Sequence, residues 1–348
     1  LKSYSLDNFN LVYEDREGEI YTKIVNLNHQ GQGDFTANIV NLSTHTDVEA
    51  FIFKMEGIRY ADRLHLESDF DMSLNQEEFK FTFGENFIKA NDLLLKFEGW
   101  LAMPEENIDL DMSFIAPDAN FKQLLSLVPA IFYQDFESVQ TQGNFKLNGE
   151  VKGLYDGIHE RYPTFNFTLN LRDGSFRYPD LPAGVETINM DISVLNTTND
   201  LDNTKINIPL FTASILENVF RANASLSNPL SDPTYAFGLY SNFDLAALEK
   251  ALPIEGYLFS GLLTADLQTS GRMSYLENER YDKMIAQGQV DLKEVIISED
   301  SLDFPIEIPF GSLSINPQVA YLKDTKIIIG RSDFTLDGDI DNLMAYAL

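Results

Sequence analysis

The chain has 348 residues and carries 54 Asp and Glu against 25 Lys and Arg, a formal net charge of −29. Such a field repels phosphate backbones and anionic head groups, which argues against nucleic-acid binding through a basic groove. At 44% hydrophobic and 12% aromatic, with 26 Phe, 15 Tyr and no Cys, the composition excludes a disordered chain, a disulfide framework and Cys-ligated zinc.

The length allows two compact domains or one elongated repeat array. No run approaches the roughly 20 apolar residues of a membrane-spanning helix. The start, Leu1-Lys2-Ser3-Tyr4, is neither a signal peptide nor an initiating Met. The expectation is an excised or processed piece, with any membrane anchor outside it.

Read along the chain, the dominant period is two. Leu64, Leu66, Phe70, Met72 and Leu74 alternate with polar residues, with Ser68 as the small member. Phe79, Phe81 and Phe83 follow, then Leu93, Leu95 and Phe97 before Gly99 and the single Trp100, which is expected in a core. Ile108, Leu110, Met112 and Phe114 continue the pattern, and Asp109 and Asp111 take the wet face. Each run predicts a strand with one apolar and one polar face.

A helix is then predicted over 118–132, because Phe121, Leu124, Leu125 and Val128 share one helical face ahead of Pro129. Strands resume with Phe145, Leu147 and Val151, among which Gly143, Gly149 and Gly153 read as bulges or bends. Phe165, Phe167, Leu169 and Leu171 follow, then Ile188, Met190, Ile192 and Val194, then Ile206, Ile208 and Leu210. Arg172-Asp173-Gly174, Pro182-Ala183-Gly184 and Asn228-Pro229 read as turns between them. A second short helix is predicted over 241–252, with Leu245, Leu248 and Leu252 on one face. Short strands in close succession indicate an antiparallel meander, not alternating βαβ units.

The two helical stretches begin a repeat. Gly143 and Gly261, and Gly153 and Gly271, are 118 residues apart. Glu160-Arg161-Tyr162 matches Glu279-Arg280-Tyr281. Asp180-Leu181-Pro182 matches Asp303-Phe304-Pro305, and Thr204-Lys205-Ile206 matches Thr325-Lys326-Ile327. Order and spacing predict an internal duplication of a helix followed by strands. The expected organisation is an N-terminal β segment (1–117), a first repeat (118–240) and a second repeat (241–348), joined in one continuous elongated sheet.

No catalytic signature emerges. His29, His45, His65 and His159 are scattered, with no close metal spacing. There is no nucleophile elbow, phosphate loop or dinucleotide fingerprint. Asp337-Gly-Asp339-Ile-Asp341-Asn342 lacks the glycine position and the Glu of a calcium loop, and reads as a strand-turn with outward acids. The expectation is a non-enzyme with no cofactor and no metal. One-faced strands can hide their apolar side in a closed sandwich or in a curled trough, and pattern alone leaves both open.

Asn120-Phe-Lys-Gln-Leu-Leu-Ser-Leu-Val-Pro129, Gly143-Asn-Phe-Lys-Leu-Asn-Gly149, Pro163-Thr-Phe-Asn-Phe-Thr-Leu-Asn-Leu171 and Tyr178-Pro-Asp-Leu-Pro182 resemble the carboxy-terminal region of AsmA-like envelope proteins of Gram-negative bacteria, of the Bacteroidota type. Asn8-Phe-Asn-Leu-Val-Tyr-Glu-Asp15, Gly31-Gln-Gly-Asp-Phe35 and Leu93-Leu-Leu-Lys-Phe-Glu-Gly99 extend the similarity over nearly the whole chain. The resemblance implies a mainly β fold whose repeated amphipathic strands curl into a groove. It also implies a periplasmic protein anchored in the inner membrane by a segment outside this chain, acting in phospholipid transport or outer-membrane biogenesis. The partners it implies are a phospholipid or other acyl-chain lipid, and possible envelope proteins. Phe145, Leu147, Phe165, Phe167, Leu169, Ile188, Met190 and Ile192 are the candidate lipid-facing residues. A scaffold with a closed sandwich core is the alternative, and a carbohydrate-active enzyme with paired carboxylates is a third class.

Overall fold

A computed structural model describes residues 2–16, 18–34, 36–55, 58–104, 107–125, 139–177, 182–216, 218–251, 254–316 and 319–341. It divides into two compact units. The first comprises Leu1–Ser138, Gln142–Asn170 and Val194–Leu201, and the second Val139–Thr141, Leu171–Ser193 and Asp202–Leu348. Among the described residues the fold is mainly β, antiparallel and not closed into a barrel, with few short helices.

The strands are β1 (Ser3–Asp15), β2 (Ile20–Gly33), β3 (Ile39–Met55), β4 (Ile58–Asn75), β5 (Lys80–Ala90), β6 (Leu93–Ala102), β7 (Ile108–Asn120), β8 (Gln140–Tyr155) and β9 (Thr164–Arg177). They continue as β10 (Val185–Asn196), β11 (Lys205–Ile215), β12 (Asn218–Ser227), β13 (Thr234–Asp244), β14 (Tyr257–Arg272), β15 (Ile285–Glu299), β16 (Ile306–Ile315), β17 (Val319–Ile329) and β18 (Ser332–Asp341). From β1 to β8, and again from β11 to β18, each strand pairs antiparallel with the next in sequence. This is the meander that the period-two runs dictate.

Both helices start later than predicted. Asn120 ends β7, and α1 covers Phe121–Leu125; the rest of the predicted helix lies outside the described residues. Residues 241–244 belong to β13, and α2 covers Leu245–Ala251. Their starts are set by caps. Gln123 N–H donates to Asn120 Oδ1 at 3.0 Å and Asn120 N–H donates to Gln123 Oε1 at 2.8 Å, a reciprocal capping box. Asp244 Oδ1 accepts from the N–H groups of Ala246 and Ala247 at 2.9 and 3.2 Å.

Three other expectations change. Arg172-Asp173-Gly174 is not a turn but lies inside β9. Asp173 takes φ +50, and its N–H is held by Asn189 Oδ1 at 3.1 Å, so a cross-strand side chain replaces the ladder bond. Phe79 is not in the strand it was expected to open; it sits before β5 with φ +48 and is 48% exposed. Trp100 is half-buried on the polar face, opposite Asp111, with Lys80 Nζ 4.0 Å from its ring centroid.

The bulge device of Asp173 recurs. Asn28 Oδ1 accepts from Asn8 N–H at 3.0 Å, and Asn10 Oδ1 accepts from Asn26 N–H at 3.1 Å. Asn8 and Asn26 both have φ near +54. Asp337 Oδ1 serves Asp324, φ +48, in the same way at 2.8 Å. A left-handed residue leaves the strand ladder, and a neighbouring carboxamide or carboxylate satisfies the freed donor.

Local features repeat along the chain. β8 and β14 each have 16 residues and follow a short helix; β11 and β17 each have 11, and β12 and β18 each have 10. Left-handed positions recur between matching stretches: Gly143 and Gly261, Glu160 and Glu279, Asp173 and Glu294, Leu216 and Gly330.

Candidate functional site: an uncharged apolar face

The registers of β2 to β8 stack side chains in rows on one face of the first unit. One row runs Gly33, Leu42, Met72, Phe83, Gly99, Met112, Val151. The next runs Val40, Leu74, Phe81, Leu101, Leu110, Gly153. Phe97, Phe114 and Gly149 form a third, shorter row. These rows contain no charged residue. The opposite face reads Asn41, Ser73, Thr82, Trp100, Asp111, Lys152, and there Lys152 Nζ meets Asp111 Oδ2 at 2.6 Å.

Four rings dominate the apolar face. Phe70 and Phe97 meet edge to face at 5.1 Å and Phe83 and Phe97 at 5.6 Å, while Phe97 and Phe114 are tilted by 32° with centroids 6.5 Å apart. Phe70 is in β4 and Phe97 in β6, two strand spacings or about 10 Å apart in a flat sheet. The 5.1 Å ring separation shows that the two side chains reach toward each other across β5, where Asn86 is the residue paired with Phe97. The register of β5 shifts against both β4 and β6 at this place. There the buried Asn86, 3% exposed, accepts from Asp71 N–H at 2.7 Å and donates to Asp71 C=O at 3.1 Å.

Glycine admits further rings. A Cβ on Gly149 would stand 2.5 Å from the Phe167 ring, and one on Gly31 2.4 Å from Tyr4. Phe97 is buried, whereas Phe70, Met72, Phe83, Leu101, Met112 and Phe114 are half-buried, so the face stays accessible.

The sequence-derived candidates divide between the units. Phe145 in the first unit is 1% exposed opposite Ala119 and contributes packing. Leu147, Phe165, Phe167 and Leu169 are half-buried, and the rings of Phe165 and Phe167 stand 5.8 Å apart. In the second unit Ile188 is 4% exposed beside Gly174, while Met190 and Ile192 are half-buried. The Phe70, Phe83, Phe97 and Phe114 cluster was not among the candidates. Each of its members was legible as an inward strand residue, but its convergence depends on cross-strand register.

The histidines also look different in register. Tyr4 Oη and His29 Nε2 are 3.0 Å apart, and His29 Nδ1 and Thr46 Oγ1 2.9 Å, in a hydrogen-bonded chain on the apolar face. Burial, with His45 nearby, holds His29 below the ordinary imidazole range. On the other face His45 Nδ1 meets Asp69 Oδ1 at 2.6 Å and His65 Nε2 meets Asp47 Oδ2 at 2.8 Å. Among the described residues no group of three or more His, Asp or Glu could hold a metal ion, and no helix is long and apolar enough to cross a membrane.

A cavity of about 400 Å³ lies on the polar side of β6 to β9, lined by Lys96, Glu98, Ser113, Asn148, Glu150 and Asn166 among others. Phe97, Phe114 and Gly149 of the third row also belong to its lining. Comparison of the chain with protein-family models, curated proteins and solved structures returned no match.

Proposed function

We propose that this protein is a non-enzymatic lipid-holding protein that lays acyl chains along the apolar face of its open antiparallel sheet. The observation that carries the reading is the uncharged, half-buried face of β2 to β8 with its four converging rings. Exposed apolar surface costs about 25 cal/mol per Å² in water, and each methylene removed from water gains about 0.8 kcal/mol. An acyl chain lying on this face offsets that cost, and its smooth aliphatic surface needs no hydrogen-bond partner. The absence of charge matters equally, because a Lys or Asp among the rings would have to be desolvated.

The resemblance to AsmA-like proteins supports the same reading and adds a cellular setting: the periplasm, an inner-membrane anchor outside this chain, and a part in lipid transport or outer-membrane biogenesis. The acidic outer rows fit a face turned to solvent.

Photo-crosslinking residues placed at Phe83 and Phe114, with Thr82 and Ser113 as wet-face controls, test the proposal. Lipid adducts identified by mass spectrometry are expected at the first pair and not at the second. Protein purified without harsh detergent that carries no lipid, and takes none up after delipidation, would sink the reading and favour a scaffold.

A further inference from the structure

The geometry points to a glycan-binding site on the polar face of the second unit: a hollow over Gly238, beside the Tyr240 ring, that takes a hexose unit of a neutral linear oligosaccharide. The site is independent of the lipid reading, because its residues lie on the face opposite the apolar rows.

Position comes first. In β13, Leu239 belongs to the apolar row Ala222, Leu239, Leu267, so Gly238 and Tyr240 on either side of it face the other way. Register sets Gly238 between Asn223 of β12 and Gln268 of β14, and Tyr240 between Arg221 and Asp266 of the same two strands. The missing side chain within this grid leaves a cavity of about 140 Å³, which Leu210 of β11 also lines.

The side chains around the hollow are uncommitted. Tyr240 is 44% exposed, and its ring and hydroxyl have no partner among the described residues. Arg221 and Asp266, on either side of it, form no ion pair among those residues, and Asn223 makes no side-chain hydrogen bond with them. Gln268 is held from β15, where Gln287 Nε2 donates to its Oε1 at 3.1 Å, and its own Nε2 donors stay free. The group presents one aromatic ring with donors and acceptors around it.

That combination matches a sugar. A pyranose has a C–H face that packs on a flat ring, and hydroxyls at its edge that both donate and accept. An apolar ligand would leave Arg221 and Asp266 desolvated without partners. An anionic one would meet Asp266 and a chain of net charge −29, with Arg221 the one cation among the described residues of the lining. Beyond Asp266 the row continues through Gln289 and Ser314 to Tyr321, 47% exposed. An oligosaccharide crossing the strands therefore meets an amide, a hydroxyl and a second ring.

Saturation-transfer NMR titrations of the full chain with cellohexaose, maltohexaose, mannohexaose and chitohexaose test the site, with glucose and hexagalacturonic acid as comparisons. At least one neutral hexaose is expected to bind saturably, with both comparisons roughly tenfold weaker or more. Tyr240→Ala should weaken that hexaose roughly tenfold by removing the ring. At Gly238→Ala the new Cβ would stand 2.8 Å from Asn223 Nδ2 and displace that carboxamide, while φ outside the left-handed region leaves the backbone unstrained. This variant should weaken binding roughly fivefold, about one hydrogen bond. Should either variant misfold by circular dichroism, Arg221→Ala, at an exposed side chain, gives the same readout. No saturable binding by any neutral hexaose, equal or tighter binding of either comparison, or an affinity unchanged in the folded variants overturns the site. None of these results touches the lipid-holding face.

Discussion

The two units solve one packing problem with different side chains. In the first, the apolar rows of β4 to β7 are filled by Phe70, Phe83, Phe97 and Phe114, and Phe97 is 7% exposed. In the second, corresponding rows across β12 to β17 run Phe220, Ser241, Ala265, Val290, Leu313, Leu322 and Ala222, Leu239, Leu267, Gly288, Ile315, Ala320. They are equally free of charge, but their buried members are small: Ser241 at 1%, Ala265 at 5%, Ala320 at 0%. Large rings that only half bury leave an accessible apolar surface. Small residues that bury fully let neighbouring side chains close over them. The contrast locates the proposed lipid-holding surface in the first unit more firmly than overall hydrophobicity could.

The largest test of this contrast is Phe97→Ala. The ring touches Phe70, Phe83 and Phe114, so removing it loses three aromatic contacts and leaves a cavity. The expected cost is about 3–5 kcal/mol by denaturant unfolding. The opposite change, Ala265→Leu, should overpack the second unit and cost about 1–3 kcal/mol. A Phe97→Ala cost below that of Ala265→Leu would mean that the rings are surface decoration and not the packed centre of the first unit.

Next come the buried asparagines, a device the two units share. Asn86 bridges the N–H and C=O of Asp71, and Asn218, 4% exposed, accepts from Asp244 N–H at 2.6 Å and donates to Asp244 C=O at 3.4 Å. Replacing either by Ala leaves a part-buried backbone donor and acceptor without this partner, at about 1–3 kcal/mol. The longer donor distance at Asn218 makes Asn86→Ala the costlier, as paired unfolding measurements would show.

How much of this was legible beforehand follows from the range of each interaction. Period-two runs such as Leu110, Met112, Phe114 identify strands and their inward face because pleating fixes side-chain alternation locally. The pattern places the helix starts three and four residues early, at 118 and 241, although Asn120 with Gln123, and Asp244, are capping residues adjacent in sequence to what they cap. Bulges were not legible. Arg172-Asp173-Gly174 has the composition of a turn, but Asn189, Met190 and Asp191 on the next strand hold it inside β9. The ring cluster and the Tyr4–His29–Thr46 chain depend on registers between residues up to 27 positions apart, from Phe70 to Phe97, which no local pattern encodes.

A pH experiment separates loop electrostatics from these face effects. In the second unit Asp202 accepts from Ser231 Oγ at 2.6 Å and from the N–H groups of Ser231 and Leu230 at 2.9 and 3.0 Å. The Ser231 hydroxyl, foremost, holds this carboxylate below its usual range. A depressed folded-state pKa gives stability that is present above the unfolded value of about 3.9 and lost as pH falls through the folded value. Asp202→Asn should therefore be less stable than the parent at neutral pH, with the difference shrinking in acid. A difference independent of pH would show that the loop is held by shape alone.

The smallest expected effect has the opposite sign. Ser241 Oγ is buried and has no hydrogen-bond partner among the described residues, in a row where its cross-strand neighbours are Phe220 and Ala265. A buried hydroxyl without a partner carries a desolvation cost that folding does not recover. Ser241→Ala removes one oxygen, preserves the small volume on which this row depends, and should raise stability by up to about 1 kcal/mol. Phe114→Ala, the comparison in the first unit, removes a half-buried ring and must destabilise. If Ser241→Ala also destabilises, the hydroxyl is satisfied by an ordered water beneath the strands. The second unit's small residues would then line a hydrated interior and not a dry, tightly closed one.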